Sequence, residues 1–244
     1  MVRRVVGQKA GSPRPRKQDL SVFPPDAVRI PQSGLIGRMT LGIVTGLAAE
    51  ARLAQPLGLA RAGGGMPDGA EAAAEWLVQQ NVQGLVSFGL AGGLDPALRP
   101  GDIVIAEAVL EGDRRYPTDP NLSARFGPRA GSLLAGSAIV ADAGEKARLF
   151  ASTGAGAIDL ESGAVARVAA RHRLPFAVLR AICDPAERDL PPAALAALDQ
   201  AGAIGLPRVL LSVARHPGQV PALIALARDA AAARTALQER VRTA

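Results

Sequence analysis

The chain has 244 residues, is 48% hydrophobic and 20% charged, and is expected to fold as one globular domain with extensions. Its single cysteine excludes an internal disulfide, which favours a reducing, cytoplasmic setting. Its two histidines are too far apart in sequence for a metal-binding motif. No run of about 18 uncharged apolar residues occurs, so we expect no transmembrane helix.

The net charge of +6 is concentrated at the start of the chain. Residues 1–38 hold eight Lys or Arg and two acidic residues, whereas residues 39–244 hold 20 residues of each sign. The remainder is neutral, so we expect no nucleic-acid partner for a folded face. Residues 1–38 are rich in Pro, Gly and basic residues, lack the apolar core of a secretory signal, and are expected to be a disordered basic extension or upstream translation.

From Met39 onwards, short apolar runs alternate with helical patterns. The predicted strands are residues 41–44, 85–87, 102–106, 132–140 and 175–182. The predicted helices are residues 47–53, 70–80, 143–151, 162–171 and 191–244, the last broken at Pro207, Pro217 and Pro221. This alternation predicts an α/β fold with a mostly parallel central sheet flanked by helices. We expect the main domain at residues 39–205 and a helical C-terminal extension at 206–244.

Ligands bind open α/β sheets beyond the carboxyl ends of the strands. Three carboxylates and a glycine-rich turn follow the predicted strands or precede the helix at 162–171. They are Glu50, Gly89, Gly92, Gly93, Glu161 and Asp184. Each has a structural alternative: a solvated helix residue, a tight turn, a helix-start carboxylate, or a turn before Pro185. The pattern nevertheless predicts that these groups meet at one edge of the sheet.

The stretch AIDLESGAVA at residues 157–166 places Asp159 and Glu161 inside a small and apolar run. Charged residues are rarely buried unless they are paired or functional. On an extended segment the two side chains share a face, and a helix starting at Ser162 favours acids beside it. A helix-start role is our default interpretation of Asp159.

Four segments between Met39 and Asp184 resemble the nucleoside phosphorylase superfamily, especially its nucleosidase branch. They are LGIVTGLAAE, FGLAGGLDPALRPGDIVIAEAV, AIDLESGAVA and PFAVLRAICD, in the family's order. A narrower resemblance is to the hopanoid-associated phosphorylase-like proteins. It rests on SFGLAGGLDPALRPGD, TGAGAIDLES and the C-terminal ARHPGQVPALIALARDAAAARTAL. The methylthioadenosine/S-adenosylhomocysteine nucleosidases are similar more distantly.

This resemblance implies cleavage of a purine N-ribosidic bond and, in the hopanoid-associated proteins, release of adenine from adenosylhopane. It makes Asp184 the acid that protonates the departing purine. Glu161 would accept the protons of both ribose hydroxyls, with Leu160 packed against the sugar. The base would lie near Ile139 and Val140.

The nucleophile is left open between water and phosphate. By resemblance, Glu50 matches a glutamate that activates water, whereas backbone N–H groups of residues 89–93, including Gly92 and Gly93, would cradle phosphate. No phosphate-clamping arginine is evident, because Arg180 lies inside a predicted strand. We expect no metal or organic cofactor, with phosphate as the one candidate co-substrate.

The predicted partner is a small or lipid-linked adenosine derivative, and a homodimer is a family-level expectation. Residues 220–237 are amphipathic, which is typical of packing on the domain or on a dimer mate. The same pattern would suit a groove for a large apolar hopane group, or contact with a membrane surface. The alternatives are a general purine-nucleoside or 5′-methylthioadenosine nucleosidase, and a non-catalytic binding protein of the same fold.

Overall fold

The computed structural model describes residues 39–197 and 206–244, with side chains for 39–195 and 211–244. The expectation for residues 1–38 lies outside them. The strands are β1 Leu41–Thr45, β2 Leu59–Ala62, β3 Gly84–Gly93, β4 Ile103–Val104, β5 Ala108–Glu111, β6 Arg114–Pro117, β7 Ser132–Ala135, β8 Ala157–Asp159 and β9 Phe176–Asp184. The helices are α1 Ala48–Ala54, α2 Pro67–Gln79, α3 Pro120–Ala124, α4 Ala143–Thr153, α5 Ser162–His172, α6 Pro192–Ala197, α7 Leu206–Arg215 and α8 Val220–Thr243.

The strands form one nine-stranded sheet. Its main path runs β2-β1-β3-β8-β7-β5-β6, and β9 pairs with β3 and β4. The pairs β1–β2, β1–β3, β3–β9, β5–β7 and β7–β8 are parallel, whereas β3–β8, β4–β9 and β5–β6 are antiparallel. The predicted α/β class with a mostly parallel, helix-flanked sheet is therefore confirmed.

The central strand β3 has a gap along one edge. Its other edge pairs with β9 from Leu85 to Gly92. The gapped edge pairs with β1 over residues 84–87 and with β8 only at Gly92 and Gly93. Residues 88–91 therefore face no strand there, and the sheet opens into a wedge between β1 and β8. Crevices of this kind, beyond the carboxyl ends of the strands, are where ligands bind in open α/β sheets.

Local sequence accounts for the elements around the wedge. The strands β1, β3 and β9 are almost entirely buried, as expected for apolar strands covered on both faces. Helix α4 begins where the Asp142 side chain accepts the Glu145 N–H at 2.7 Å, and it ends at Gly154, whose φ is 65°. The predicted strand over 132–140 stops at Ala135, because the chain bends at residues 137–138 and leads residues 138–140 along the cavity in the wedge.

The helix α8 packs on one face of the sheet, mainly against β9. Ala233, Leu237 and Val241 are buried in one core cluster with residues of β1, β3 and β9. Its Pro221 lies in the first turn, where proline is tolerated, so this residue begins a helix and does not break one. The domain boundary near residue 205 stays a prediction. Within the described ranges, no helix is both long and apolar enough to cross a membrane.

A buried glutamine joins α6 to the C-terminal helices. The Gln219 side chain accepts the Ala193 N–H at 2.9 Å and donates to the Ser212 carbonyl oxygen at 2.9 Å. Arg188, in the loop before α6, also pairs with Asp229 of α8. These contacts connect α6, α7 and α8. The parts of α6 and α8 beside the wedge, with Gln219 between α7 and α8, are here called the C-terminal wall (residues 192–195 and 219–229).

Candidate active site

A cavity of about 280 Å³ occupies the wedge. It is bounded by the carboxyl ends of β1, β3, β8 and β9, by the loop 138–140, and by the C-terminal wall. Its lining includes Gly46, Leu47, Glu50, Gly65, Leu90, Ala91, Gly92, Ala138, Ile139, Val140, Ile158, Asp159, Leu160, Glu161, Arg180, Cys183, Asp184, Leu190, Ala194, Leu195 and Leu226. Of the groups that the sequence predicted at one sheet edge, Glu50, Gly92, Glu161 and Asp184 thus share one cavity, whereas Gly89 and Gly93 do not line it.

Glu50 lies in the first turn of α1 and closes the gap in β3. Its Oε2 accepts the Leu47 N–H at 2.8 Å, and its Oε1 accepts the Leu90 N–H at 3.1 Å. The carboxylate therefore replaces a neighbouring strand as the partner of the exposed β3 edge. Burial raises the pKa of Glu50, and the two N–H donors and the charge of Arg180 oppose that change.

Arg180 lies within β9 and is 1% exposed. Its Nη2 lies 2.6 Å from Asp159 Oδ2 and 3.1 Å from Glu161 Oε2. Nη2 also donates to Ser87 Oγ at 2.6 Å, and Nη1 donates to the Leu90 carbonyl oxygen at 3.2 Å. A buried guanidinium is tolerated here because carboxylates balance its charge. Both acids of the AIDLES segment meet the same nitrogen.

Glu161 stands directly before α5 and is 7% exposed. Burial raises its pKa to about 7; the charge of Arg180 opposes this, whereas the charges of Asp159 and Glu50 add to it. The carboxyl group therefore changes its charge near neutral pH. Hydrogen-bond donors that enter the cavity would favour its ionised form.

Asp159 ends β8 and starts α5. Its Oδ1 accepts the Ser162 N–H at 3.0 Å, and its Oδ2 accepts the Ser162 hydroxyl and pairs with Arg180. These contacts agree with the helix-start interpretation. They also show a second role, since Asp159 neutralises the guanidinium that holds Glu161.

Two glycines allow the charged groups to approach one another. A Cβ at Gly46 would lie 2.6 Å from Glu161 Oε1 and 3.4 Å from Glu50 Oε2. A Cβ at Gly89, whose φ is +150°, would lie 2.8 Å from Arg180 Nη1 and 2.9 Å from Glu50 Oε1. Side chains at either position would fill the space in which the carboxylates and the guanidinium meet.

Asp184 ends β9 on another side of the cavity. Its Oδ2 accepts a hydrogen bond from Lys146 Nζ at 2.6 Å. Burial raises the pKa of Asp184, and the hydrogen bond from Lys146 lowers it in part. Cys183, the preceding residue, is a neutral thiol, because burial raises its pKa to about 12.

Most of the remaining lining is apolar. Ile139 is 38% exposed and Leu195 is 42% exposed, so both lie where the cavity meets solvent. Leu190 and Leu226 join them from the loop before α6 and from α8. The cavity therefore combines a polar floor with an apolar mouth, which is typical of small-molecule sites.

The structure corrects two of the predicted glycines. Glu50, Gly92, Ile139, Val140, Leu160, Glu161 and Asp184 all line the cavity, whereas Gly89, which lies against Glu50 and Arg180, and Gly93 do not. Gly93 pairs with Ala157 of β8, because β3 extends further than the sequence indicated and this glycine closes the joint between the strands.

Sequence reasoning overlooked two residues of the site, Arg180 and Lys146. A charge inside the apolar run PFAVLRAICD was itself a signal, because arginine is rarely buried without partners. Lys146 gave no comparable signal, since it occupies an ordinary position of a helical pattern. Leu226, which lines the cavity, belongs to the amphipathic segment 220–237 for which a substrate groove is one hypothesis. Among the described residues, no group of three side chains could hold a metal ion.

The chain belongs to the Phosphorylase superfamily, whose family model matches residues 43–130 and 127–205. It is 28% identical over 153 residues to the 5′-methylthioadenosine/S-adenosylhomocysteine nucleosidases of Mycobacterium bovis and Mycobacterium tuberculosis. The match covers 43% of this chain and 60% of each relative, so the chain spans less than two thirds of their length.

Solved structures share the fold at lower identity. The S-adenosylhomocysteine nucleosidase from Streptococcus pyogenes, in complex with 5-methylthiotubericidin, has a TM-score of 0.56 and 20% identity, over 63% of this chain and 86% of that one. The futalosine hydrolase of Helicobacter pylori has a TM-score of 0.60 and 16% identity, over 84% of this chain and 97% of that one. These structures show the fold, whereas the family match confirms the superfamily that the four segments predicted.

Proposed function

We propose that the protein cleaves an adenine N-glycosidic bond, and that its substrate is adenosylhopane. The observation that carries this proposal is the division of one cavity between a buried acid, Asp184, and a separate cluster of Glu50, Glu161 and Arg180. Cleaving a purine N-glycosidic bond needs a proton for the leaving group and charge stabilisation for an oxocarbenium-like sugar.

Asp184 suits the role of the acid. Burial raises its pKa, so this carboxyl group keeps its proton to a higher pH than a carboxyl group in water does. In the proposed reaction its proton passes to a purine ring nitrogen while the bond from the base to C1′ of the ribose breaks. The loop residues Ile139 and Val140, which line the cavity, would contact the base.

Glu161 suits the role of the ribose acceptor. Its Oε2 is fixed by Arg180 at 3.1 Å, so the carboxyl group is held in one orientation before the substrate arrives. Two hydroxyl donors would restore the ionised form that burial disfavours. The negative charge then lies close to the positive charge that develops on the sugar, with Leu160 packed beside it.

The charge balance favours water as the nucleophile. Glu50, Asp159 and Glu161 surround one guanidinium, and Arg180 is the only basic residue among the described residues that line the cavity. A phosphate dianion would be repelled by the surplus negative charge. Glu50, whose pKa is raised by burial, is positioned as the base for a water molecule.

The apolar mouth supports a substrate with a large apolar 5′-group. Leu195 and Leu226 of the C-terminal wall lie there, and Ile224 of α8 is 48% exposed nearby in sequence. Burial of hydrocarbon against such surfaces stabilises a complex by about 25 cal/mol per Å². We include contact of α8 with a membrane surface, a cytoplasmic location and homodimerisation in the proposal as consequences of a lipid-linked substrate and of the family.

The direct test offers purified protein adenosylhopane, 5′-methylthioadenosine and adenosine, each with and without phosphate, and follows adenine by chromatography. We expect release from adenosylhopane without phosphate. Release from methylthioadenosine alone would reject the hopanoid assignment, and a requirement for phosphate would reject water. No release from any substrate would favour the non-catalytic binding protein.

Matched variants identify the acid. Asp184→Asn should lower turnover by about 10²–10⁴-fold, the usual contribution of a general acid. Asp189→Asn is the control, because Asp189 lies in the loop that follows β9, is exposed, and accepts the Ala143 N–H as its one side-chain hydrogen bond within the described residues. An unchanged rate in the Asp184 variant would show that the acid is misassigned.

A further inference from the structure

We infer that Lys146 is a positioning residue for Asp184: its ammonium holds one carboxyl oxygen and stabilises the carboxylate that remains after proton transfer. This inference rests on the proposed function, in which Asp184 is the acid. It concerns a residue on α4, outside the four sequence segments that carry the site.

The Lys146 ammonium is completely buried and fully hydrogen-bonded. Its side chain is 0% exposed, and Nζ donates to Asp184 Oδ2 at 2.6 Å. The other two donors reach the carbonyl oxygens of Pro185 at 3.1 Å and Arg188 at 2.8 Å. All three N–H groups are therefore used, and one cation ties the acid to the loop that follows β9. Burying an ammonium is costly, so such an arrangement needs a compensating benefit.

The same contacts leave the second carboxyl oxygen for chemistry. Within the described residues, no hydrogen bond is made to Asp184 Oδ1. With Lys146 fixed on Oδ2, the proton of the neutral acid is placed on Oδ1, because an ammonium donor repels a proton on the oxygen that accepts from it. When the Oδ1–H bond breaks, its proton passes to the purine nitrogen and the negative charge stays on Asp184. The ammonium keeps its three protons, and the acid regains its proton from water.

Other charged groups around Asp184 are less well placed to do this. Arg188 in the following loop has a side chain that is 35% exposed and pairs with Asp229 of α8, so its charge is offset and screened. The neighbouring Cys183 is a neutral thiol. Lys146 is therefore the buried cation that opposes the effect of burial on Asp184.

The experiment uses two variants of Lys146 and one control. Lys146→Met removes the charge and the donors, whereas Lys146→Gln removes the charge but keeps an amide donor for the loop carbonyls. Arg188→Gln removes one nearby positive charge from a partly exposed site. The carboxyl resonance of Asp184 is followed by ¹³C NMR across pH in each protein, and it is assigned by its loss in Asp184→Asn.

We expect the pKa of Asp184 to rise by about one to three pH units in both Lys146 variants, the usual effect of losing a close opposite charge, and by less in Arg188→Gln. The acid must be protonated to act, so the high-pH limb of adenine release should move upward by the same amount while the maximal rate falls. An unmoved titration in Lys146→Gln, or a shift no larger than that of Arg188→Gln, would overturn the inference. The titration needs no substrate, so it decides the role of Lys146 even if the wild-type protein releases no adenine.

Discussion

Replacing Glu161 with glutamine is expected to stabilise the folded protein at high pH while removing its activity. Burial raises the pKa of Glu161 to about 7 from an ordinary 4.5. The folded state thus holds this proton more tightly than the unfolded state does. Stability of the wild-type protein therefore falls as the pH rises from 4.5 to about 7, and this contribution is constant above that range.

The size of the effect follows from the two pKa values. The difference between 7 and 4.5 is 2.5 pH units, which corresponds to about 3 kcal/mol at about 1.4 kcal/mol per unit. The attraction between Glu161 and Arg180 is already included in this value. A neutral amide of the same shape avoids the cost, so the free energy of unfolding should rise by up to about 3 kcal/mol above pH 7 and stay unchanged near pH 4.5. For a chain of this length, the melting temperature should increase by roughly 6–12 °C.

Urea unfolding at pH 5, 7 and 8.5 measures this difference, and adenine release at pH 7 measures the loss of function. Asp159→Asn is the matched control, because it makes the same chemical change two residues away. Asp159 accepts the Ser162 N–H at 3.0 Å and contacts Arg180 at 2.6 Å, so breaking this buried pair should cost about 3–5 kcal/mol. Should Glu161→Gln unfold more easily than the wild type at pH 8.5, the attraction to Arg180 outweighs burial and the reasoning fails.

Three further changes test the site. Gly89→Ala should cost about 1–3 kcal/mol of stability in thermal unfolding and lower activity, because φ is +150° and the added Cβ would lie 2.8 Å from Arg180 Nη1. Gly112→Ala, at φ +55° with nothing within 4 Å of the added Cβ, is the control for backbone strain alone. Equal losses of stability in the two variants would remove the steric argument. Leu226→Ser should weaken binding of a long apolar 5′-group by about tenfold with little change for adenosine; an equal loss for both would place Leu226 outside the substrate path. Cys183→Ser should keep its activity, and Cys183 should resist iodoacetamide at pH 8, since its pKa of about 12 leaves almost no thiolate; rapid inactivation would contradict this.

The location of the cavity was predicted from the rule that ligands bind α/β sheets beyond the carboxyl ends of the strands. Glu50, Glu161 and Asp184 lie more than 100 residues apart at the extremes, yet each follows a strand or precedes a helix at the same sheet edge. Apolar runs and glycine turns mark such ends in the sequence. The helices 67–79, 143–153 and 162–172 were also predicted to within a few residues, because their apolar period is a local feature.

The parts that sequence reasoning missed depend on distant partners. The hairpin β5–β6 and the short β2 carry weak local patterns, and they become strands because neighbouring strands offer them hydrogen bonds. Arg180 was set aside as a strand residue, although its role appears only when β8, β3 and α1 surround it. Lys146 acts across 38 residues of sequence, which no local period reveals.

Under the proposed function, the residues that would select the 5′-group and the residues that would carry the chemistry lie on different parts of the chain. The charged groups come from residues 50–184, whereas Leu226 reaches the cavity from a helix held by Gln219 and anchored by Ala233 and Leu237. A relative could therefore acquire a new 5′-group preference by exchanging this helical segment, with its anchor residues, and keep every carboxylate in place. A chimera with the corresponding segment of a relative would be the natural starting point for engineering the protein toward other nucleosides.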